Sequence, residues 1–157
     1  MDIILWRHAQ AFDGNEALAD VDRALTPRGI KHAKRVGDWL EKKLPDSAKV
    51  WSSPALRCRE TAQGLGRKFK TNEAMLPTGS AAQLMEFIGQ QTNAQSNASA
   101  VLFIGHQPAL GQVAAQLLGL SAPEFPLKKG ALCWLRLSQE PDNTSVELLT
   151  LMGPEWV

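Results

Sequence analysis

Arginine and histidine side chains follow two short apolar runs in this sequence. Arg7 and His8 come directly after DIILW (residues 2–6), and His106 closes the segment AVLFIGH, which begins at residue 100. Runs of this length and composition are typical of buried strands, so both histidines are expected at strand tips. Because the carboxyl ends of parallel strands share one edge of a sheet, where ligands bind, the pattern predicts a basic site at that edge.

A second arginine, Arg57, is expected at the same edge. It follows the short run KVWSS (49–53) and lies close to a predicted helix N-terminus, where the helix dipole disfavours a cation unless an anion is near. Guanidinium groups bind phosphate oxygens through paired hydrogen bonds, so this group of residues suits a phosphoryl ligand. Phosphoryl transfer also needs an in-line nucleophile. The neutral imidazole of His8 fits that need, because the adjacent Arg7 would lower its pKa.

The segments between these residues alternate between short apolar runs and longer stretches of helical period. This alternation predicts a three-layer α/β/α fold whose mixed sheet is mainly parallel and ends in a hairpin. Strands are predicted at 2–6, 49–53, 74–76, 100–105, 130–137 and 145–151, the last two joined by the turn residues EPDN (140–143). Helices are predicted from Pro27 to about Lys43, from Pro54 to about Lys68, from Ser80 through Ile88, and from Pro108 to about Leu118.

Hydroxyl side chains precede three of these helices. Thr26, Ser53 and Ser80 are predicted as their N-caps, and for the first two the following proline fits the first helical position. In the first helix, apolar residues recur every three or four positions from Ile30 to Leu44, which predicts one buried face.

The composition excludes several classes of protein. A chain of 157 residues is predicted to form one domain over 1–157. Its net charge of +1, from 17 basic and 16 acidic residues, lacks the basic excess of a binder of nucleic acids or membrane surfaces. Neither a signal peptide nor an apolar run of about 20 residues is present. We therefore expect a cytoplasmic monomer without a metal or cofactor, in which Cys58 and Cys133 are buried free thiols.

Four motifs together resemble the histidine phosphatase superfamily, also called the phosphoglycerate mutase-like family. One of them is similar to the D-x-x-R-x-L-T-x-x-G signature of the SixA-type phosphohistidine phosphatase branch. The motifs are RHA (7–9), DVDRALTPRG (20–29), SPALRCRETA (53–62) and GHQP (105–108), with further similarity in MLPTG (75–79) and KKGALCWLRL (128–137). The resemblance spans nearly the whole chain and implies a phosphatase of the phosphoglycerate mutase-like fold.

The resemblance also implies a role for each site residue. His8 matches the nucleophile that forms a transient phosphohistidine, and Arg7 and Arg57 match the arginines that bind the phosphoryl oxygens. His106 matches the second histidine, which donates a hydrogen bond to a phosphoryl oxygen. Arg23 matches the basic residue that this branch brings to substrate from the loop before the first helix.

One family role has no clear match. Larger members carry a glutamate on an inserted segment, where it protonates the leaving oxygen, but here that region reads TNEAMLPTGSAAQ (71–83) and offers only Glu73 as a weak candidate. An alkoxide leaves poorly without a proton donor. A histidyl group can leave as neutral imidazole, so a site without an acid is better matched to a P–N bond.

Several other residues are interpreted as structural. Arg59 and Arg28 are expected as exposed helical charges, His32 as a solvent-facing helix residue, and Ser53 only as a helix cap. The Lys128-Lys129 doublet is interpreted as solvated surface. The five tryptophans, at 6, 39, 51, 134 and 156, are expected mostly in the core, with Trp6 beneath the site.

The favoured hypothesis is a metal-independent phosphatase that acts on phosphohistidine in a signalling or phosphotransfer protein. A second hypothesis is a phosphatase for a small phosphorylated substrate, with the acid supplied by a residue that the sequence does not identify. A third is a phosphate-binding recognition module without turnover. Release of phosphate from a phosphoramidate, an alkyl phosphate or neither distinguishes the three.

Overall fold

Six strands form one sheet in the computed structural model of the protein, which describes residues 1–93, 95–140 and 143–157. The strands are β1 (Asp2–Arg7), β2 (Lys49–Ser52), β3 (Lys70–Thr71), β4 (Ala100–Gly105), β5 (Leu132–Glu140) and β6 (Asn143–Met152). The α-helices in the described part are α1 (Pro27–Glu41), α2 (Leu56–Gln63), α3 (Ala81–Gln91) and α4 (Ala109–Leu117). Single turns of 3-10 helix lie at Asp20–Asp22, Glu73–Met75 and Pro154–Trp156.

The sheet is mixed, with strand order β3-β2-β4-β1-β5-β6. The first four strands pair in parallel, whereas β5 pairs antiparallel to β1 and β6 pairs antiparallel to β5. In the pairing of β1 with β4, Arg7 lies opposite Gly105. The residues that follow these two positions therefore leave the sheet side by side at its carboxyl edge.

The sheet separates two hydrophobic cores, as expected from the alternation of side chains along a strand. Ile3 and Leu5 of β1 point into the core formed with α3 and α4. Ile4 and Trp6 point into the core formed with α1 and α2. This confirms the predicted three-layer arrangement, and it explains why β1 and β4 are apolar at nearly every position.

The caps of two helices are confirmed, but the ends of the first two helices differ from the predictions. Thr26 accepts a hydrogen bond from Gly29 N, and Ser80 forms a capping box with Gln83. α1 ends at Glu41. α2 ends at Gln63 rather than near Lys68, because the chain then turns through Gly66 at φ +78°, a conformation that favours glycine.

Ile30 is exposed, contrary to its predicted place on the buried face of α1. Its exposed fraction is 55%, and it lines a surface cleft with Glu60 and Gly64. Glu60 is polar and Gly64 has no side chain, so neither residue covers the side chain of Ile30.

The third strand is not where the sequence predicted it. Residues 74–76 were expected to be extended, but Glu73–Met75 form a turn of 3-10 helix, and β3 is a two-residue strand at Lys70–Thr71. The reason is local: the Asn72 side chain accepts a hydrogen bond from Ala74 N at 2.9 Å, which caps the turn and ends the extended backbone.

The remaining predictions have mixed outcomes. Cys58 and Cys133 are buried free thiols, as predicted. Trp6 is fully buried, but Trp156 is 83% exposed on the last 3-10 turn. Residues 141 and 142 of the predicted EPDN turn lie outside the described residues. None of the helices described is long and apolar enough to cross a membrane.

Candidate active site

A pocket of about 260 Å³ lies at the carboxyl edge of the parallel strands and contains all five residues predicted for the site. His8 reaches the pocket where the chain leaves β1, and its backbone N–H donates to Gly105 O at 3.1 Å. The lining residues are Arg7, His8, Asp20, Arg23, Arg57, Pro77, His106, Gln107 and Lys129. A larger pocket of about 400 Å³ lies along β2 and β3 and contains none of the predicted site residues.

The imidazole of His8 lies on the floor of this pocket, and one of its two ring nitrogens is hydrogen-bonded to the backbone. It is 6% exposed, and its Nδ1 lies 2.7 Å from the carbonyl oxygen of Ala9. Because a carbonyl oxygen only accepts, we assign the proton to Nδ1, which leaves a lone pair on Nε2. Burial lowers the pKa of His8 to about 4, with contributions from the positive charges of Arg57 and Arg7. The ring is therefore neutral at pH 7 and can attack an electrophile.

The buried Arg57 and the half-buried Arg7 carry donors that lack a partner among the described residues. Arg7 Nη1 donates to Leu127 O at 2.6 Å, while Arg57 donates through Nη1 to Asp20 O and through Nη2 to Asp20 Oδ2. The Nε atoms of both arginines are buried and have no hydrogen-bond partner among the described residues. Unpaired buried cationic donors are costly, so a bound anion would complete this arrangement.

His106 faces His8 across the pocket floor and is held by two neighbours. The ring centroids of the two histidines are 5.2 Å apart. Arg57 Nη2 lies 3.3 Å from His106 Nδ1, and since a guanidinium group only donates, Nδ1 accepts and Nε2 carries the proton. That proton points to Ser53 Oγ, 2.9 Å away. Burial lowers the pKa of His106 to about 3.

Ser53 is thus not the helix cap that the sequence predicted. The residue at the N-cap position of α2 is Ala55, which makes no side-chain capping bond. The Ser53 hydroxyl contacts the ring of His106 and accepts from Ala55 N at 3.3 Å. The reason is that Ser53 is drawn to the sheet edge, where its N–H donates to Ile104 O in β4.

Cys58 lies behind His106 and is unsuited to catalysis. Its Sγ is 3.4 Å from His106 Nε2. Burial raises the pKa of its thiol to about 12, so the group stays protonated and is a poor nucleophile.

Asp20 and Arg23 come from the loop between β1 and α1, whose ends are joined by a bridge between Ala11 and Leu25. Arg23 Nη1 donates to Phe12 O at 2.8 Å, which closes the loop. The Asp20 carboxylate forms ion pairs with Arg23 at 2.8 Å and with Arg57 at 2.9 Å. Although partial burial raises the pKa of Asp20, the hydrogen bonds from the two arginines lower it more, and the net pKa lies below its ordinary value.

Sequence reasoning missed four lining residues: Asp20, Pro77, Gln107 and Lys129. All four stand inside segments that the sequence analysis quotes for the family resemblance, so their positions carried a signal. Lys129 was instead interpreted as solvated surface. It reaches the pocket because the N–H of the next residue, Gly130, donates to Arg7 O and His8 O; Gly130 has a φ of +79°.

The other candidates lie away from the pocket lining. Glu73 is exposed on its 3-10 turn and is not one of the residues that line the pocket. Arg59 and Arg28 are exposed, as expected, whereas His32 is half-buried. Within the described residues, no group of three or more His, Cys, Asp or Glu side chains is placed to hold a metal ion.

Comparison with known proteins identifies the family of this chain. The model of the histidine phosphatase superfamily (branch 1) matches residues 3–89, more than half of the chain. The chain belongs to this superfamily. It is accordingly a metal-independent phosphatase, as the motifs implied.

Relatives of this histidine phosphatase include proteins of the SixA branch. It is 27% identical to the phosphohistidine phosphatase SixA homolog of Haemophilus influenzae, over 85% of this chain and 88% of that protein. The solved structure of the protein histidine phosphatase SixA complexed with tungstate has a TM-score of 0.80 at 23% identity, covering 98% of this chain and 97% of that one. A mycobacterial glucosyl-3-phosphoglycerate phosphatase shares the fold with a TM-score of 0.73 at 14% identity, covering 95% and 97%.

Proposed function

We propose that this histidine phosphatase removes the phosphoryl group from phosphohistidine on a signalling or phosphotransfer protein, by way of a phosphohistidine formed on His8. The observation that carries this proposal is the charge of Asp20. Among the described residues it is the one carboxylate that lines the pocket, and the arginines beside it keep its pKa below the ordinary value. The described lining therefore holds no protonated carboxylic acid to serve a leaving group at neutral pH, which suits a P–N bond.

In the proposed first step, His8 Nε2 attacks phosphorus while the bond from phosphorus to the substrate nitrogen breaks. The departing imidazole keeps the proton on its other nitrogen and leaves neutral, so no acid is required. In this step the arginines Arg7 and Arg57, whose Nε atoms are unpaired, would bind the phosphoryl oxygens, where charge is concentrated. Arg23 adds a further positive charge to the lining, and the neutral His106 adds a hydrogen-bonding group. The relatives named phosphohistidine phosphatase support this choice of substrate.

A small phosphoester is the second candidate, favoured by the fold shared with the glucosyl-3-phosphoglycerate phosphatase. It would require a protonated acid beside the leaving oxygen.

We place the activity in the cytoplasm of the cell, where Cys58 and Cys133 would remain reduced.

Phosphate release from phosphoramidate and from an alkyl phosphate, in excess chelator, tests the proposal. We expect turnover of phosphoramidate by the wild type and a loss of at least about 10³-fold in His8→Ala, because the nucleophile is removed. His32→Ala is the matched control, since His32 lies on α1 outside this pocket, and it should retain wild-type rates. Faster turnover of the alkyl phosphate would instead establish the phosphoester reading, and full activity of His8→Ala would remove His8 from its role.

A further inference from the structure

The position of Asp20 in the pocket supports a role in the second step of the reaction, an inference that rests on the proposed function. We propose that Asp20 is the base that takes a proton from the water molecule that hydrolyses phosphorylated His8, because its exposed carboxylate lines the mouth of the pocket whose buried floor holds this histidine. Neither the motifs nor the family's inserted glutamate assigns this role to a residue of the loop before α1.

The burial of the lining residues defines which side of the pocket water must enter. His8, Arg57 and His106 form the floor, each at most 6% exposed. The side chain of Asp20 is 56% exposed, and Lys129 is exposed as well. In-line displacement brings the attacking oxygen to phosphorus from the side opposite the nitrogen that leaves. Water attacking a phosphoryl group on His8 therefore arrives from the mouth, where Asp20 lies.

The contacts of Asp20 fix its carboxylate at that mouth. Arg57 Nη1 donates to the backbone oxygen of Asp20 at 2.6 Å, and Nη2 donates to Oδ2 at 2.9 Å. Arg23 Nε donates to Oδ1 at 2.9 Å. Arg23 and Arg57, which line the pocket, thus also hold the Asp20 carboxylate. The residues proposed to bind the phosphoryl group therefore also orient the proposed base. These ion pairs also keep the carboxylate ionised, the state a base requires.

The proposed step balances without any further reactant. The oxygen of water forms a bond to phosphorus, and the bond from phosphorus to His8 Nε2 breaks and returns its electron pair to the nitrogen. One proton moves from water to an oxygen of Asp20. That proton then passes to solvent, to which the side chain is open, and the neutral His8 and ionised Asp20 are restored.

Asp20→Asn tests this role, because it keeps the size of the side chain and one acceptor oxygen for Arg57 but removes the base. The variant is mixed with excess phosphoramidate, quenched in alkali to preserve phosphohistidine, and analysed for phosphate on His8. We expect phosphorylation of His8 near the wild-type rate, with subsequent hydrolysis slowed about 10²-fold or more, so that phosphorylated enzyme accumulates. Asp20→Glu keeps a carboxylate and should hydrolyse the intermediate faster than Asp20→Asn.

Asp22→Asn is the matched control, since Asp22 belongs to the same 3-10 turn but is exposed and does not line the pocket. It should behave as wild type. Hydrolysis at the wild-type rate in Asp20→Asn would overturn the proposal. Equal slowing of phosphorylation and hydrolysis would also overturn it, since Asp20 would then only position Arg57. A wild type that never phosphorylates His8 would defeat the proposed function itself, a result distinct from either of these.

Discussion

At the scale of single residues, the hydroxyl of Ser53 can partner the Nε2 atom of His106 in either tautomer of the ring. In the free enzyme, Arg57 donates to His106 Nδ1, and His106 Nε2 donates to Ser53 Oγ at 2.9 Å. For Nδ1 to donate to a phosphoryl oxygen instead, the proton must leave Nε2, and Ser53 must then donate to that nitrogen. A hydroxyl can reverse its role in this way because it is both donor and acceptor.

We predict that Ser53→Ala lowers kcat/KM for phosphoramidate about 10- to 100-fold. The reason is that a buried ring nitrogen loses its hydroxyl partner, an effect of about 1–3 kcal/mol. Ser52→Ala is the control, since Ser52 is equally buried and its hydroxyl donates to the Ser53 carbonyl rather than to the histidine. Steady-state kinetics on both variants, with their melting temperatures, provide the comparison. Equal losses in the two variants would argue against a specific role for Ser53.

The buried residues on the floor of the pocket were predicted from the sequence, whereas the exposed lining residues Asp20 and Lys129 were not. His8 and His106 could be placed because each directly follows a strand, and adjacent parallel strands bring such residues together. Asp20 stands in a quoted motif, but its place in the pocket depends on how the polar loop between β1 and α1 folds back over α2. Ser53 was misassigned because a hydroxyl before proline is a good helix signal, whereas here a tertiary contact with His106 takes its place.

At the scale of secondary structure elements, the site depends on how closely α1 approaches α2. Gly37 of α1 faces the backbone carbonyl of Gly64, which follows α2, and a Cβ atom at residue 37 would collide with that carbonyl. α2 carries Arg57 as its second residue, so any separation of the two helices also displaces a guanidinium group of the pocket.

We predict that Gly37→Ala lowers the free energy of unfolding by about 1–3 kcal/mol, because backbone atoms must move to admit the methyl group. It should also raise KM by shifting Arg57. Gly89→Ala in α3 is the matched control, since nothing lies within 4 Å of its added Cβ, and it should stabilise the protein by up to about 1 kcal/mol through helix propensity. Urea unfolding of both variants measures the contrast. A neutral Gly37→Ala would show that the helices can separate freely.

Elements with long apolar runs or strong periodicity were predicted well, and short ones were not. β4 is AVLFIG, as expected, because burial on both faces leaves a continuous apolar signal. β3 has only two residues, both exposed, so it leaves no periodic pattern to recognise. The chain turns after α2 through Gly66, which has a left-handed backbone conformation. The spacing of apolar residues does not mark this end of the helix.

At the scale of the whole molecule, the buried neutral histidines make stability depend on pH. Burial lowers the pKa of His8 to about 4 and that of His106 to about 3, whereas both are near 6.5 in the unfolded chain. The unfolded state therefore binds more protons below pH 6.5. The stability contributed by each neutral ring is fully present above that pH and is lost as the pH falls towards the folded pKa.

From these values we predict that His8 alone accounts for a loss of about 2 kcal/mol in the free energy of unfolding between pH 8 and pH 5. Urea unfolding of wild type and His8→Gln at both pH values isolates this contribution, because carboxyl groups that titrate in the same range affect both proteins alike. The loss should be smaller in His8→Gln by about that amount. If His8→Gln loses as much stability as wild type, the pKa of His8 is not lowered in the folded protein, and the neutral nucleophile on which the chemistry depends would have to be abandoned.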